Sequence, residues 1–182
     1  MNSRLFILLL IGALAIWTFW EAEEGGRELA IDPASTSIAA DEGEVLSGIV
    51  SQVHDGDTVT LRVGSGDVKV RLGQIDAPEL YQPWGSEAFH ALESAAEGRP
   101  ARIEVLDIDP YDRRVARLFV DGEHVNEVLV RQGHAWAYRR WVRDEEILEA
   151  ESAAQREGRG LWSLPKAQRQ PPWDWRRENP RR

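Results

Sequence analysis

HDGDTVTLRVGSGDVKVRLGQIDAPE, the stretch from His54 to Glu79, decides the fold because it contains two strand-like runs separated by a turn. The runs are Thr58–Val63 and Val68–Ile75, and Gly64-Ser65-Gly66-Asp67 lies between them. Apolar residues alternate in both runs, and a short glycine-containing connection is typical of a hairpin. The stretch therefore predicts two antiparallel strands whose outer ends lie side by side.

The outer ends of this hairpin carry Asp55 and Asp57 on one side and Arg71, Asp76 and Glu79 on the other. Carboxylates held a few ångströms apart raise one another's pKa unless a cation lies between them. Oxygen ligands without nearby His or Cys favour Ca²⁺ or Mg²⁺ over zinc. Asp57 and Asp76 are therefore the candidate metal ligands, although an isolated Asp-Gly-Asp is also a common turn. Asp55 either orients the ligands or a bound water, or is only a turn residue.

Glu79 and two arginines add a second kind of chemistry to the predicted metal site. Glu79 follows Pro78, which restricts the backbone and holds the carboxylate near Asp76, where it can take a proton from water. The alternative is an ordinary loop glutamate. Arg71 and Arg113 would repel each other beside a cation unless an anion completed the site, and arginine binds phosphate oxygens in a bidentate manner. A phosphodiester fits this combination.

Composition narrows the class of protein. The chain has 182 residues, no cysteine and a formal net charge of −9, so a disulfide framework and a thiolate metal site are excluded. One domain with terminal appendages is the default for this length. The acidic balance by itself argues against a nucleic-acid partner. Much of the acid, however, lies in residues 21–44 and in a late helix.

The amino terminus carries an uncharged apolar run, Leu5–Trp20, which follows Arg4 and is followed directly by Glu21. This pattern predicts a signal-anchor or transmembrane helix over residues 1–20, with the remainder on the extracytoplasmic face of the membrane. The protein would be single-pass and membrane-anchored, or secreted if the segment is cleaved. A buried core helix is the alternative. Residues 21–44 lack an apolar period and read as a linker.

Residues 45–164 read as one globular domain of the α+β class, mainly a β barrel. Alternation and turn signals predict five strands and three helices. The strands are Val45–Gln52, Thr58–Val63, Val68–Ile75, Ala101–Ile108 and Val115–Val120, and the helices are Gln82–Gly98, Val125–Gln132 and Glu145–Glu157. This count suits a small closed barrel with appended helices. Residues 165–182 form a basic, aromatic tail without a period, which is expected to be disordered.

The spaced motifs together resemble the staphylococcal nuclease (thermonuclease) family across residues 45–164. Several motifs in one order are more specific than any single one. They are DGDTVTL (Asp55–Leu61), VRLGQIDAPE (Val70–Glu79), QPWGSEA (Gln82–Ala88), DPYDRRVARLFVDG (Asp109–Gly122), VNEVLVRQGHAWAY (Val125–Tyr138) and GLW (Gly160–Trp162).

The resemblance implies a five-stranded OB-fold barrel with three helices. It also implies a Ca²⁺-dependent, sugar-nonspecific endonuclease that hydrolyses phosphodiester bonds of DNA and RNA to 3′-phosphate products. Asp57 and Asp76 would then be the side-chain ligands of calcium, and the backbone carbonyl of Ala77 would be a third ligand. Ca²⁺ is favoured over Mg²⁺ on this basis alone.

The resemblance also assigns roles to five further residues. Glu79 would be the general base acting on the attacking water, and Arg71 and Arg113 would bind the phosphate and stabilise the transition state. Tyr111 and Tyr138 would contact the nucleotide.

The chain departs from the family pattern beside Arg113. Pro110 stands where the family often has a basic residue, which removes a phosphate contact. Asp112 stands where a glycine is common; aspartate tolerates a left-handed turn, and an ion pair from Asp112 to Arg113 is expected when no substrate is bound.

Two alternatives from other classes remain at this point. One is a non-catalytic nucleic-acid-binding OB-fold module, and the other is a calcium-stabilised surface domain that binds a different polyanion. Arg139, Arg140 and Arg143 with Trp141 suggest a basic, aromatic path for a single strand, so single-stranded DNA and RNA are the favoured partners. A solvated helix edge would have the same composition. No obligate protein partner is inferred.

Overall fold

A computed structural model describes residues 43–64 and 66–180 of the chain. The predicted anchor over residues 1–20 and nearly all of the linker over residues 21–44 lie outside the described residues, so both stay predictions. Within the described ranges, no helix combines the length and apolar character needed to cross a bilayer.

Five of the strands form a closed barrel. The strands within the described residues are, in chain order, β1 (Val45–Asp55), β2 (Thr58–Val63), β3 (Gly66–Leu72), β4 (Ile75–Asp76), β5 (Pro100–Ile108), β6 (Arg114–Val120), β7 (Glu123–His124) and β8 (Trp136–Ala137). Their order in the main sheet is β3-β2-β1-β5-β6-β7, and a parallel pairing of β3 with β6 closes it. The prediction of a five-stranded OB-fold barrel is confirmed.

The barrel interior is filled by alternate residues of these strands. Strand β6, RVARLFV, alternates between buried and half-buried positions along its whole length. Successive side chains of a strand point to opposite faces, so this alternation directs one face inward. Several inward residues are fully buried, namely Val50, Val59, Leu61, Val70, Leu72, Ile103 and Leu118.

The three predicted helices are present as α1 (Gly85–Ala96), α2 (Val125–Arg131) and α3 (Glu145–Glu157). Helix α1 begins later than its predicted start at Gln82, because Trp84 adopts a left-handed conformation with φ of 75°. Gly85 also lies so close to the loop before it that a Cβ there would be 1.9 Å from the Glu79 carbonyl oxygen. Only glycine fits at that position.

A fourth helix, α4 (Pro172–Glu178), lies in the tail that was expected to be disordered. Two short 3₁₀ turns, Gly160–Ser163 and Lys166–Gln168, precede it. The expectation of disorder is therefore corrected for residues 165–180. Seven residues make only two turns, which is too short for a visible helical period, so the helix depends on the surface against which it docks.

A second, two-stranded sheet positions the segment after the barrel. Strand β4 pairs with β8, which places Asp76 opposite Trp136. Gln74, with φ of 66°, reinforces this junction. Its side-chain carbonyl accepts hydrogen bonds from the backbone N–H of Arg143 (2.6 Å) and Asp144 (2.9 Å). The loop that carries Asp76 is thereby tied to the segment leading into α3.

Asn126 connects α2 to the point where the barrel closes, and it supplies the first prediction. Its Oδ1 accepts a hydrogen bond from the Leu118 N–H (2.9 Å), and its Nδ2 donates to the carbonyls of Gly73 (2.9 Å) and Ala116 (3.1 Å). The side chain is fully buried. We expect Asn126→Ala to lower the free energy of unfolding by about 3 kcal/mol, because three buried hydrogen bonds to backbone groups are lost. Urea denaturation measures this loss, and a change below about 1 kcal/mol would contradict the assigned contacts.

Candidate active site

Arg71 joins the two predicted metal ligands. Its Nη1 lies 2.8 Å from Asp57 Oδ2 and its Nη2 lies 3.0 Å from Asp76 Oδ1. The hairpin register, in which Thr58 pairs with Arg71, brings the start of β2 beside the end of β3. Asp76 is fully buried and Asp57 nearly so. The hairpin ends therefore meet as the sequence predicted, and a guanidinium lies between the two acids.

Asp57 is held rigidly at the end of the hairpin. Its backbone N–H donates to Asp55 Oδ1 (3.0 Å), and its own Oδ2 accepts from the Ala77 N–H (2.7 Å). Burial raises the pKa of Asp57 to about 8; the nearby Arg71 guanidinium opposes this rise, and the carboxylates of Asp55 and Asp76 add to it. A divalent cation beside Asp57 would favour its ionised form. The Asp55 side chain thus contacts the backbone of Asp57 as a turn residue does, and its role in orienting the ligands or a bound water stays a prediction.

Glu79 lies on a short loop closed by reciprocal contacts with Gln82. The Glu79 N–H donates to Gln82 Oε1 (3.2 Å), and the Gln82 N–H donates to the Glu79 carbonyl (2.8 Å). Together with the close approach of Gly85 to the same carbonyl, these contacts fix the direction of the loop. The Glu79 carboxylate lies 3.0 Å from Arg176 Nη1, which also contacts Asp76 at 3.0 Å. Glu79 and Asp76 therefore face one cation from the tail.

Arg113 is held by Asp109 and not by Asp112, which corrects the expectation from the sequence. Arg113 Nε donates to Asp109 Oδ2 at 2.6 Å. Asp109 Oδ1 accepts from the backbone N–H groups of Tyr111 (2.9 Å) and Arg113 (3.0 Å), which closes the loop. Asp112 has φ of 60°, as expected for a left-handed turn, but this conformation directs its carboxylate to Arg114 at 3.4 Å.

Of the two phosphate-binding candidates, Arg71 lies on β3 and Arg113 lies directly before β6, the strand that pairs with β3. In the parallel pairing of β3 with β6, Arg71 is opposite Val115, two residues after Arg113. Arg113 also lies against the ring of Tyr111, with 5.6 Å from the guanidinium carbon to the ring centroid. Tyr111 is 80% exposed. A guanidinium anchored through Nε can still present its two Nη groups to a phosphate.

Tyr138 lies on the other side of the site, directly after β8. Its backbone N–H donates to the Gln74 carbonyl at 2.9 Å. Its ring stacks on Trp173 of helix α4, with centroids 5.4 Å apart and an angle of 12° between the planes. An aromatic face of this kind also accepts a nucleotide base.

The donor set fits a hard divalent cation. It comprises two carboxylates, Asp57 and Asp76, and the carbonyl of Ala77, and Ca²⁺ takes six to eight oxygen ligands that include water and substrate oxygens. Throughout residues 43–64 and 66–180, no three side chains of His, Cys, Asp or Glu converge as a metal cluster. In this conformation the cations next to the carboxylates are the guanidiniums of Arg71 and Arg176.

Sequence reasoning missed Arg176 and Trp173, which the tail contributes to the site, and the contacts that Gln74 and Gln82 make around it. Arg176 and Trp173 come from a segment whose abundance of tryptophan and arginine was visible, but whose two-turn helix has no readable period. The Gln82 side chain donates to the Gln170 carbonyl and so ties the tail to the Glu79 loop. The Pro171-Pro172 pair was the one available signal, since proline is common at the first position of a helix.

Comparison with known proteins shows the family of the chain. The family model described as "Staphylococcal nuclease homologue" matches residues 69–164. The chain is 39% identical over 145 residues to Protein ParB of Escherichia coli, covering 74% of this chain and 81% of that protein. It is 34% identical over 141 residues to the micrococcal nuclease of Shigella flexneri, and the match covers 71% of this chain and 80% of that protein. An uncharacterized endonuclease of Haemophilus influenzae is 36% identical over 132 residues, and the match covers 71% of this chain and 72% of that protein. The resemblance drawn from the spaced motifs is confirmed, and the chain belongs to the staphylococcal nuclease family.

Proposed function

We propose that the protein is a Ca²⁺-dependent, sugar-nonspecific endonuclease that hydrolyses phosphodiester bonds in DNA and RNA and leaves 3′-phosphate ends. The observation that carries the proposal is that Arg71 bridges Asp57 and Asp76 while Arg176 bridges Asp76 and Glu79, at the end of the barrel where the hairpin strands meet. Relatives named as nucleases support the same class of reaction.

Asp57, Asp76 and the Ala77 carbonyl would hold the cation. Bound there, Ca²⁺ would supply positive charge to the phosphate oxygens on which negative charge grows during displacement. The geometry supports this assignment, because the Asp57 and Asp76 carboxylates both contact Arg71 and therefore lie close enough to share one cation.

Glu79 would take the proton from the attacking water. Its loop is set by Gln82 and by the close approach of Gly85, so the carboxylate has a defined position beside Asp76. A positioned base of this kind contributes about 10²- to 10⁴-fold to a rate. Releasing the Glu79 carboxylate from Arg176 would be required before it could act on water.

Arg71 and Arg113 would bind the scissile phosphate from two sides. Arg71 is anchored by Asp57 and Asp76, and Arg113 is anchored by Asp109, so neither guanidinium needs to be ordered when substrate binds. Preorganised donors aimed at a phosphate act mainly by stabilising charge in the transition state.

Tyr111 and Tyr138 would contact the nucleotide and favour single strands. Tyr111 is exposed beside Arg113, and Tyr138 has an aromatic face that stacks on Trp173 in this structure. Stacking on such faces requires unpaired bases, and it tolerates any base because each has a π face.

The proposal predicts metal-dependent cleavage. The full chain in detergent would be incubated with single-stranded DNA, duplex DNA and RNA, each with Ca²⁺, with Mg²⁺ and with chelator. We expect cleavage of both sugars with Ca²⁺, faster on single strands, and none with chelator. Resistance of the products to polymerase extension until phosphatase is added would identify 3′-phosphate ends.

Other outcomes would separate the alternatives. Binding of DNA without cleavage under every condition would favour a non-catalytic OB-fold module. Binding of Ca²⁺ without any affinity for DNA or RNA would favour a domain that recognises another polyanion. Products with 3′-hydroxyl ends would contradict the assigned direction of displacement.

A further inference from the structure

We propose that residues 170–178 of this chain are a built-in competitor of the active site, with Arg176 in place of the divalent cation and Trp173 in place of a nucleotide base. The inference rests on the proposed function, because the cation and the substrate are those of the nuclease. It adds a regulatory role for the tail.

Arg176 takes both oxygens of the predicted ligand Asp76. Its Nη1 lies 3.0 Å from Oδ1 and its Nη2 lies 2.7 Å from Oδ2, the fork-to-fork geometry of a strong charge-assisted pair. Asp76 is fully buried, whereas the Arg176 side chain is 40% exposed. A cation that coordinates Asp76 must therefore displace Arg176 from at least one carboxylate oxygen.

Arg176 also holds the predicted general base. Its Nη1 lies 3.0 Å from Glu79 Oε1. While this contact persists, Glu79 Oε1 is occupied by Arg176 and is not available to a water molecule. The same side chain thus competes with the cation at Asp76 and restrains Glu79.

Trp173 covers the aromatic face where a base would stack. It lies parallel to Tyr138 at 5.4 Å, and its edge meets Trp136 at 5.9 Å and 74°. Trp136 in turn packs against the buried Trp162, with ring centroids 4.4 Å apart, so the aromatic surface that Trp173 covers is anchored in the body of the domain. The tail therefore occupies the stacking surface and the cation position at once.

The attachment of the tail is suited to release. Gln82 accepts from the Glu79 N–H and donates to the Gln170 carbonyl, so the docked tail and the catalytic loop share one side chain. Helix α4 has seven residues, which is below the length that is stable in isolation, so the helix and its docking form together. A short tether gives the tail an effective concentration in the millimolar range.

The test compares Arg176→Gln with Arg177→Gln in the full chain in detergent. Arg177 is one residue away on the same helix, but it pairs with Asp174 at 2.9 Å and is 71% exposed, so it is a matched control. Calorimetric titration with Ca²⁺ alone measures the metal affinity. We expect Arg176→Gln to bind Ca²⁺ about tenfold more tightly than the wild type and Arg177→Gln to be unchanged, because Arg176 contacts Asp76 whereas Arg177 pairs with Asp174.

Cleavage of single-stranded DNA supplies the second readout. For Arg176→Gln, the Ca²⁺ concentration giving half-maximal rate should fall by the same factor of about ten, while the rate at saturating Ca²⁺ stays at the wild-type value. Trp173→Ala tests the stacking of the tail on Tyr138. It should lower the KM for single-stranded DNA several-fold, because the base no longer displaces a stacked indole.

The outcomes distinguish failure of this inference from failure of the proposed function. Equal Ca²⁺ affinity in all three proteins would overturn the competition, even if every variant cleaves DNA. A lower rate for Arg176→Gln at saturating Ca²⁺ would also overturn it and make Arg176 a substrate-binding residue. The expected affinity shift without cleavage by any variant would leave the competition for Asp76 intact and remove the nuclease proposal.

Discussion

Glu79→Gln is expected to lower the maximal cleavage rate about 10³-fold while leaving the affinity for DNA within about twofold of wild type. Glutamine keeps the size of the side chain and its hydrogen-bonding oxygen but cannot accept a proton from water. The loop should keep its shape, because Gln82 contacts the backbone of Glu79 and Gly85 packs against its carbonyl.

The measurement is single-turnover cleavage at saturating Ca²⁺, with DNA affinity measured separately in the presence of chelator. Glu149→Gln on the exposed face of α3 makes the same chemical change away from the site and should leave the rate unchanged. A rate for Glu79→Gln within a few-fold of wild type would remove Glu79 from the role of general base.

Arg113→Ala is expected to lower the rate about 10³-fold, because a preorganised guanidinium next to a phosphate stabilises charge that grows in the transition state. Asp109 already holds Arg113 through Nε at 2.6 Å, so the wild-type protein does not need to order this side chain during the reaction. Lysine at the same position should recover little of the loss, because an ammonium cannot bind phosphate in the bidentate geometry.

Arg62→Ala provides the matched control for this prediction. Arg62 pairs with Asp67 at 2.9 Å beside the hairpin turn, at the opposite end of the hairpin from Arg71, and both side chains are more than half exposed. Its removal changes the net charge equally but should leave the rate unaltered. An effect below tenfold for Arg113→Ala would show that Asp109 keeps the arginine away from the phosphate.

The alternation of apolar residues and the turn residues between them were sufficient to predict most strands of the barrel. The alternation in Thr58–Val63 and the glycine-containing turn after it predict a hairpin whose partner strand returns to Arg71, and the observed register pairs Thr58 with Arg71. A slip of one residue would turn the buried face of a strand toward solvent, and the length of the turn limits larger slips, so strand pairing follows closely from the sequence. For the same reason Asp57 and Asp76 could be expected to lie at one end of the barrel.

The contact of Arg113 shows where nearness in sequence misleads. Asp112 is its immediate neighbour, yet Asp109, four residues earlier, holds it. The left-handed conformation at Asp112 turns that side chain toward Arg114, while the tight loop brings Asp109 back onto Arg113. Turn geometry, which sequence patterns describe poorly at this scale, decides which carboxylate pairs with the arginine.

The amino-acid sequence alone was enough to establish the barrel, the three helices α1 to α3, the family and the meeting of Asp57, Arg71 and Asp76, because each depends on periodicity, on spaced motifs or on contacts across one hairpin. The partner of Asp76 in the tail was not readable in this way. Arg176 lies 100 residues from Asp76, on a helix of seven residues that is stabilised by the surface it covers. Contacts of that kind depend on the folded surface as a whole, and no local pattern encodes them.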